Sequence, residues 1–373
     1  MQSIIRNSMR LQKFGILLAL LSLAGCGGGS GSTTTPTKPV LFIYVVSQTS
    51  QQVMNFQQDS SNAITSLGTS TTTTLQPSSF LIHPSKTLVY IANAGSNNVT
   101  KYSRDKTTGL LTPLGSVPPT PVGTSPIALG TDSKGNFLYV LNQGSGSISA
   151  FSIDSTRGLL TELAGSPFAT PPNPTSLAVS QTSGFLYVGN GGGHSISAFA
   201  INSDGTLSQI AGSPFDTGVG TNISWVTVDP KGRFVYAADS ANSTIVGFSL
   251  QSNGVISPLA GSPFNCQGSE PLGISMDSTG AFLYVANAGT SNIAAFNVGS
   301  GALTPVTGSP FTAIGSQTTF VTVDASNKFV YATNRGNNDI VAFTFDSGSG
   351  ALTPFANSTV SVANGPAWIA TSQ

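Results

Sequence analysis

Acid–base chemistry has few carriers in this chain of 373 residues: two glutamates, Glu162 and Glu270, and two histidines, His83 and His194. Charged residues make up 8% of the chain, far below the usual quarter, so each one that falls near another matters. An acid, a base and an arginine able to hold a carboxylate are the parts that ring-opening or isomerising chemistry needs. Glu270, Arg335 and His194 are the residues that could supply them, with Asp239 near by in the sequence pattern. The chain carries no G-x-S-x-G, no HExxH, no C-x-x-C, no phosphate loop and no Asp-rich calcium loop. No metal and no cofactor are therefore expected.

These candidates are held by a repeat. A Tyr within a short apolar run is followed twelve residues later by an aromatic residue, at Tyr44/Phe56, Tyr90/Tyr102, Tyr139/Phe151, Tyr187/Phe199, Tyr236/Phe248, Tyr284/Phe296 and Tyr331/Phe343. The steps between the tyrosines are 46, 49, 48, 49, 48 and 47 residues, the period of a repeat architecture. Each unit reads as four strands, named a to d from the inside outward: Pro174–Val179, Phe185–Val188, Ser195–Phe199 and Leu207–Ile210, ending in Gly212-Ser213-Pro214-Phe215. That Gly-Ser-Pro-Phe ending recurs at 165–168, 261–264 and 308–311, and its Pro suits an outer edge. Strand b is apolar on both faces, so a like sheet must cover each side. Sheets stacked radially in this way make a β-propeller, and ring closure leaves only short outer edges unpaired.

The blade count follows from the ends. The first unit begins at strand b (Leu41-Phe42-Ile43-Tyr44), and the chain stops after an isolated strand a (Gly365 to Ala370). The expected fold is all-β: seven blades of four antiparallel strands, with the C-terminal strand completing the N-terminal blade.

The first 26 residues stand apart. Arg6, Arg10 and Lys13 precede an apolar run, Phe14 to Ala24, that is too short to span a bilayer. It closes on Leu23-Ala24-Gly25-Cys26, which resembles a bacterial lipobox. The expected domains are a lipoprotein signal (1–26), a Gly/Ser/Thr tether (27–38) and the propeller (39–373). The other reading is an ordinary cleaved signal with an incidental cysteine. Acylated Cys26 would anchor the protein in the cell envelope, and a tether of this length gives a reach of roughly 20 Å. Gly27, rather than Asp, after the cysteine is compatible with outer-membrane sorting. Removing the signal leaves eleven Lys/Arg against fourteen Asp/Glu, a net charge of −3, which is no footprint for nucleic acid. Cys266 then has no partner for a disulfide and reads as a small loop residue rather than a nucleophile.

Alignment on the tyrosines assigns faces. Seven residues before Tyr, in the a–b turn, stand His83, Asp132, Ser180, Asp229, Asp277 and Asp324. Asp followed by Gly three residues later is the composition of a type I turn, so turn formation rather than a cation site is expected. His83 takes the same turn-initiating slot. On the opposite face, fourteen before Tyr, Gln76, Ser125, Asn173, Asn222, Glu270, Gln317 and Gly365 should ring the mouth of the central channel. Three after Tyr stand Ser47, Asn93, Asn142, Asn190, Asp239, Asn287 and Asn334. These either bond the b–c loop backbone or, with the first ring, present amides to a ligand.

The segments FLYVANAGTSNIAAFNV (282–298), FLYVLNQGSGSISAFSI (137–153) and FVYATNRGNNDIVAFTF (329–345) resemble the repeats of the seven-bladed lactonase and YVTN-type propellers. The resemblance covers about 40–373 and implies the propeller fold. It includes a phosphogluconolactonase, a muconate-cycloisomerising enzyme and many non-catalytic surface proteins. Thr-Asn-Arg-Gly at Arg335 resembles a segment of lactonase repeats, which would make Glu270, Arg335 and His194 a catalytic set. The equivalent positions of most blades here are Asn, Gln, Ser or Gly. Two functions are therefore expected to compete. One is a monomeric, non-catalytic scaffold that binds a protein, peptide or saccharide-like ligand through Gln76, Asn173, Asn222, Asp239, Asn287, Gln317 and Asn334. The other is a lactonase-type hydrolase acting on an exported lactone.

Overall fold

The computed structural model describes residues 41–373 except 116, 117 and 219, together with all their side chains but that of Thr69. The signal, the tether and Cys26 lie outside the described residues. Seven separate antiparallel sheets make up the described chain, and no helix occurs in it. Numbered by their inner strands, the blades start at Pro366–Ser372 (blade 1), Pro77–Ile82 (2), Pro126–Thr131 (3), Pro174–Val179 (4), Ile223–Val228 (5), Pro271–Met276 (6) and Thr318–Val323 (7). Blade 1 is closed as the sequence implies. Its strand b, Leu41–Ser47, pairs with Gln52–Gln58 on one side and with the C-terminal Pro366–Ser372 on the other.

The core lies between blades rather than within one. Strand b is buried over its whole length in nearly every blade, as in Phe185–Asn190 and Phe282–Asn287. Seven apolar clusters form, each joining two neighbouring blades; one sets Tyr284 and Ala286 of blade 6 against Val330 and Val341 of blade 7. Each large apolar side chain so buried contributes about 1.5–3 kcal/mol, which makes interblade packing the main source of cohesion.

The repeating tyrosine sets the register between blades. Its hydroxyl donates to a glycine carbonyl in the c–d turn of the next blade: Tyr44 to Gly109 at 2.7 Å, Tyr139 to Gly205 at 2.9 Å, Tyr187 to Gly254 at 2.8 Å and Tyr284 to Gly350 at 2.8 Å. The glycine is required twice over at Gly205. Its φ is +85°, and an added Cβ would lie 2.3 Å from the ring of Phe137, two residues before Tyr139.

Strand d differs from the expected continuous run. In blade 4 it is two pieces, Leu207–Gln209 and Phe215–Asp216, separated by the Gly-Ser-Pro motif. The break leaves Ala198 of strand c without a strand-d partner, and its two free backbone groups are met by Ile210 and by Ser213 of the motif. Ala198 N–H donates to Ser213 Oγ at 2.9 Å, and Ile210 N–H donates to the Ala198 carbonyl at 3.0 Å. Ser166, Ser262 and Ser309 do the same in blades 3, 5 and 6, and the Ser–Pro bond is cis in all four. The motif is an outer-edge bulge, at the position where its proline had placed it.

Candidate functional site

The two faces are built by opposite ends of strand a. At the a–b end the aspartates are committed to their own turns. Asp277 Oδ1 accepts the N–H groups of Ala281 and Phe282 at 2.8 and 2.7 Å, and Asp324 Oδ1 accepts Lys328 N–H at 2.8 Å. Asp229, also buried, pairs with Arg233 at 2.6 Å, the single ion pair among the described residues. No group of side chains able to hold a metal ion occurs among the described residues. His83 is likewise a turn residue: Ser85 N–H donates to its Nδ1 at 3.1 Å, so Nε2 carries the proton given to the Gly135 carbonyl of blade 3 at 2.7 Å.

At the other end, strand a enters through a left-handed residue. Gln76, Ser125, Asn173, Glu270 and Gln317 have φ between 50° and 56°. Each carbonyl accepts an N–H from just beyond strand b of the same blade: Ala94 to Gln76 at 2.8 Å, Ala288 to Glu270 at 3.0 Å, Arg335 to Gln317 at 3.0 Å. The backbone is thereby fixed and the side chain is turned outward. Gln76, Asn173, Asn222, Glu270 and Gln317 are exposed. Asn222 Nδ2 donates to Ser240 Oγ at 3.1 Å, whereas the other four side chains have no hydrogen-bond partner among the described residues.

The second ring is a different object. Asp239, Asn287 and Asn334 are fully buried, so the structure does not offer them to a ligand. Asp239 Oδ1 accepts Asn222 N–H at 2.9 Å and its Oδ2 accepts Asn242 Nδ2 at 2.7 Å. Asn287 Nδ2 donates to Asn292 Oδ1 at 2.8 Å and to the Cys266 carbonyl at 3.0 Å; Asn334 Nδ2 donates to Asp339 Oδ1 at 2.8 Å. The cause is loop packing. A Cβ on Gly268 or Gly315 would lie 2.5 or 2.2 Å from the amide beneath it. Of the three, Asp239 bonds the b–c loop backbone, accepting the N–H groups of Ala241 and Asn242, whereas Asn287 and Asn334 tie the start of strand c to the approach to strand a. Burial holds the Asp339 carboxyl above the usual carboxylate range despite the Asn334 bond.

The residues proposed as a catalytic set come from three blades, two of them adjacent. Glu270 belongs to blade 6, Arg335 to blade 7 and His194 to the b–c loop of blade 4, and all three are exposed. Glu270 and Arg335 do not form an ion pair. His194 Nδ1 donates to the Thr221 carbonyl, which ties its loop to the approach of blade 5 and leaves only Nε2 outward. Cys266 is buried and its thiol is pushed up by burial, which removes it as a nucleophile.

One cleft on this face does contain a predicted residue. Asn173 joins Gln143, Ser145, Thr170 and Pro172 around a space of about 250 Å³ between blades 3 and 4. Its walls are neutral and polar, and Gln143 is positioned by donating to the Pro174 carbonyl at 3.2 Å. Sequence reasoning missed Gln143, Ser145 and Thr170. The glycine-rich loop Gln143-Gly144-Ser145-Gly146 was the available signal.

The family model described as lactonase, 7-bladed beta-propeller, matches residues 37–125, 120–222 and 211–313. A sequence search of curated proteins finds no match. Among solved structures, a candidate 6-phosphogluconolactonase of Bacteroides fragilis is 20% identical with a TM-score of 0.77, covering 91% of this chain and 99% of that one. One from Bacteroides uniformis is 17% identical with a TM-score of 0.76, covering 89% and 99%. The periplasmic gluconolactonase of Pseudomonas aeruginosa is 18% identical with a TM-score of 0.74, covering 89% and 99%. At these identities the likeness is one of fold.

Proposed function

The chain belongs to the lactonase family of seven-bladed β-propellers, and from that premise we propose that it serves as a non-catalytic binding module anchored in the cell envelope. The observation that carries this reading is the state of the side chains on the b–c face. Gln76, Asn173 and Gln317 are exposed and unpartnered, while Glu270, Arg335 and His194 sit on three different blades without contact between acid and arginine. Neutral amides on a rigid backbone suit a hydroxyl-rich, saccharide-like ligand or a peptide better than an anion. The cleft around Asn173 is the place for a first contact. A diacylated Cys26 and the tether would hold a monomeric propeller at the membrane, and the net charge gives no purchase to nucleic acid.

Family membership, together with likeness to a periplasmic gluconolactonase, favours a second reading, a lactone hydrolase working outside the cytoplasm. Proton release from a panel of aldono- and aromatic lactones separates the two. The propeller from residue 39 is assayed beside Glu270→Gln and Arg335→Ala, with matched thermal melts. The binding reading expects no turnover above buffer. Turnover that disappears in either folded variant would overturn it. The anchor is tested separately: labelled palmitate should be incorporated by the intact protein and lost in Cys26→Ser, and unchanged incorporation would refute it.

A further inference from the structure

The third residue of strand a is small in four blades, Ser79, Ala128, Ser176 and Gly273, and aromatic in three, Trp225, Phe320 and Trp368. The three rings come from blades 5, 7 and 1 and meet in the central channel. Ring centroids are 5.1 Å apart for Trp225 and Phe320, 5.3 Å for the two tryptophans and 4.6 Å for Phe320 and Trp368. Gly273 makes the meeting possible across blade 6. A Cβ there would lie 3.0 Å from the Thr319 carbonyl oxygen and 3.1 Å from Phe320 Cα, a tight fit that a side chain would meet only if the strands of blades 6 and 7 gave by a few tenths of an ångström.

Beneath these rings the channel is not filled. One cavity of about 300 Å³ is walled by Leu177, Val179, Val228 and Met276 with the two indoles. A second of about 310 Å³ shares Phe320, Thr322 and Trp368 with it and extends to Phe80 and Ile369. The walls come from the third to sixth residues of strand a, with Pro230 of an a–b turn, and not from the first two residues. The space therefore lies on the a–b side of the aromatic layer, away from the amide ring. No charged residue lines either cavity.

Five polar groups remain without partners among the described residues: the indole N–H of Trp225 and of Trp368, and the hydroxyls of Thr227, Thr322 and Thr371. None of them is among the buried unsatisfied atoms, so they look into open space. Apolar walls, rings packed edge-on or tilted against one another, and unused hydrogen-bonding groups around an open space of this size are the anatomy of a small-molecule site.

We propose that the a–b half of the channel binds a neutral aromatic molecule of one or two rings, which packs against Trp225 and Trp368 and accepts a hydrogen bond from one of the unused donors. Uncharged walls penalise an anion, because nothing there would replace its hydration. This site is separate from the amide-lined face and does not depend on how that face is used.

Trp225 and Trp368 are the only two tryptophans in the sequence, so indole emission reports on this cavity alone. Titrating the full-length protein with 4-nitroanisole, a neutral one-ring quencher, should give saturable quenching matched by calorimetric heat, and 4-nitrobenzoate should give neither. Ala178→Phe, from blade 4, and Ser275→Phe, from blade 6, fill the cavity from different walls. Either variant that keeps the wild-type melting profile should weaken 4-nitroanisole binding at least tenfold. Linear quenching without heat in the wild-type protein would mean a merely water-filled channel and would overturn the proposal. So would equal binding of the benzoate, or saturable binding unchanged in a folded variant.

Discussion

The hydroxyl of Tyr331, in blade 7, donates to the side-chain oxygen of Gln58, in blade 1. In the neighbouring interfaces the same tyrosine reaches a glycine carbonyl of a c–d turn, as Tyr236 reaches Gly301 at 2.7 Å. The c–d turn of blade 1, Asp59-Ser60-Ser61-Asn62-Ala63, contains no glycine, and the residue just ahead of it supplies the acceptor instead. The seam where the first and last blades meet thus keeps the interblade bond that chain connectivity does not provide.

Removing either partner at the seam should have unequal effects. Gln58→Leu leaves a buried phenol without an acceptor and should cost about 1–3 kcal/mol, whereas Tyr331→Phe should cost about 1 kcal/mol. The double variant should be more stable than the sum of the two losses predicts, because two apolar partners no longer strand a polar group. Urea unfolding of the three variants checks this; strict additivity would remove the bond from any role in closure.

Gly205 carries both a left-handed backbone and the close approach of Phe137, whereas Gly68 in the outer strand of blade 1 has φ +72° and open space around it. Gly205→Ala should therefore lose about 2–5 kcal/mol, combining backbone strain with overpacking. Gly68→Ala carries the backbone term alone and should lose about 1–2 kcal/mol. Equal losses in denaturant midpoints at constant slope would show that the ring contact is relieved by a shift of Phe137.

Burial raises the pKa of Asp339, so the folded state holds this proton more tightly than the unfolded one, and stability falls as pH rises through the carboxylate range. Asp339→Asn keeps an oxygen to accept from Asn334 and removes the charge. It should stabilise the protein at neutral pH, and the gain should shrink on acidification. The c–d turn aspartates act in the opposite sense. Asp105 and Asp154 are held below the usual range by turn N–H groups, so what they contribute is complete above the unfolded pKa and is lost as pH falls through the folded one. Melts from neutral to acid pH for wild type and Asp339→Asn read the difference directly. A gain that grows toward acid would reverse the assignment.

The fold was legible because its causes repeat: a tyrosine and its aromatic partner recur at one spacing in all seven units and a Gly-Ser-Pro break in four, and any single unit could be misread where seven could not. The site was less legible because its causes do not repeat. Trp225 and Trp368 occupy a column in which the other blades have Ser, Ala, Gly or Phe, and nothing in their local sequence announces a shared channel. The two polar rings differ in what the sequence showed of them. Both are columns of amides near one face, yet which column is outward depends on a left-handed residue at the start of strand a and on glycines, such as Gly268 and Gly315, packed over the other. Those are backbone and contact properties, and side-chain type does not encode them.

The same distinction gives the last prediction. Asn287 donates two hydrogen bonds, to Asn292 and to the Cys266 carbonyl, from a fully buried position. Asn287→Ala leaves both acceptors without a donor and should destabilise the propeller by about 1–3 kcal/mol. Gln317→Ala and Gln76→Ala remove exposed side chains without partners and should stay within about 0.5 kcal/mol of the wild type. If the b–c face binds a ligand, those two variants, and Asn173→Ala beside the cleft, should lower capture on a glycan or peptide array without moving the melting temperature. Asn287→Ala should lower capture only in proportion to the protein unfolded. An Asn287 variant that melts like wild type yet loses capture would put the buried ring back into the binding face and overturn the division drawn between the two.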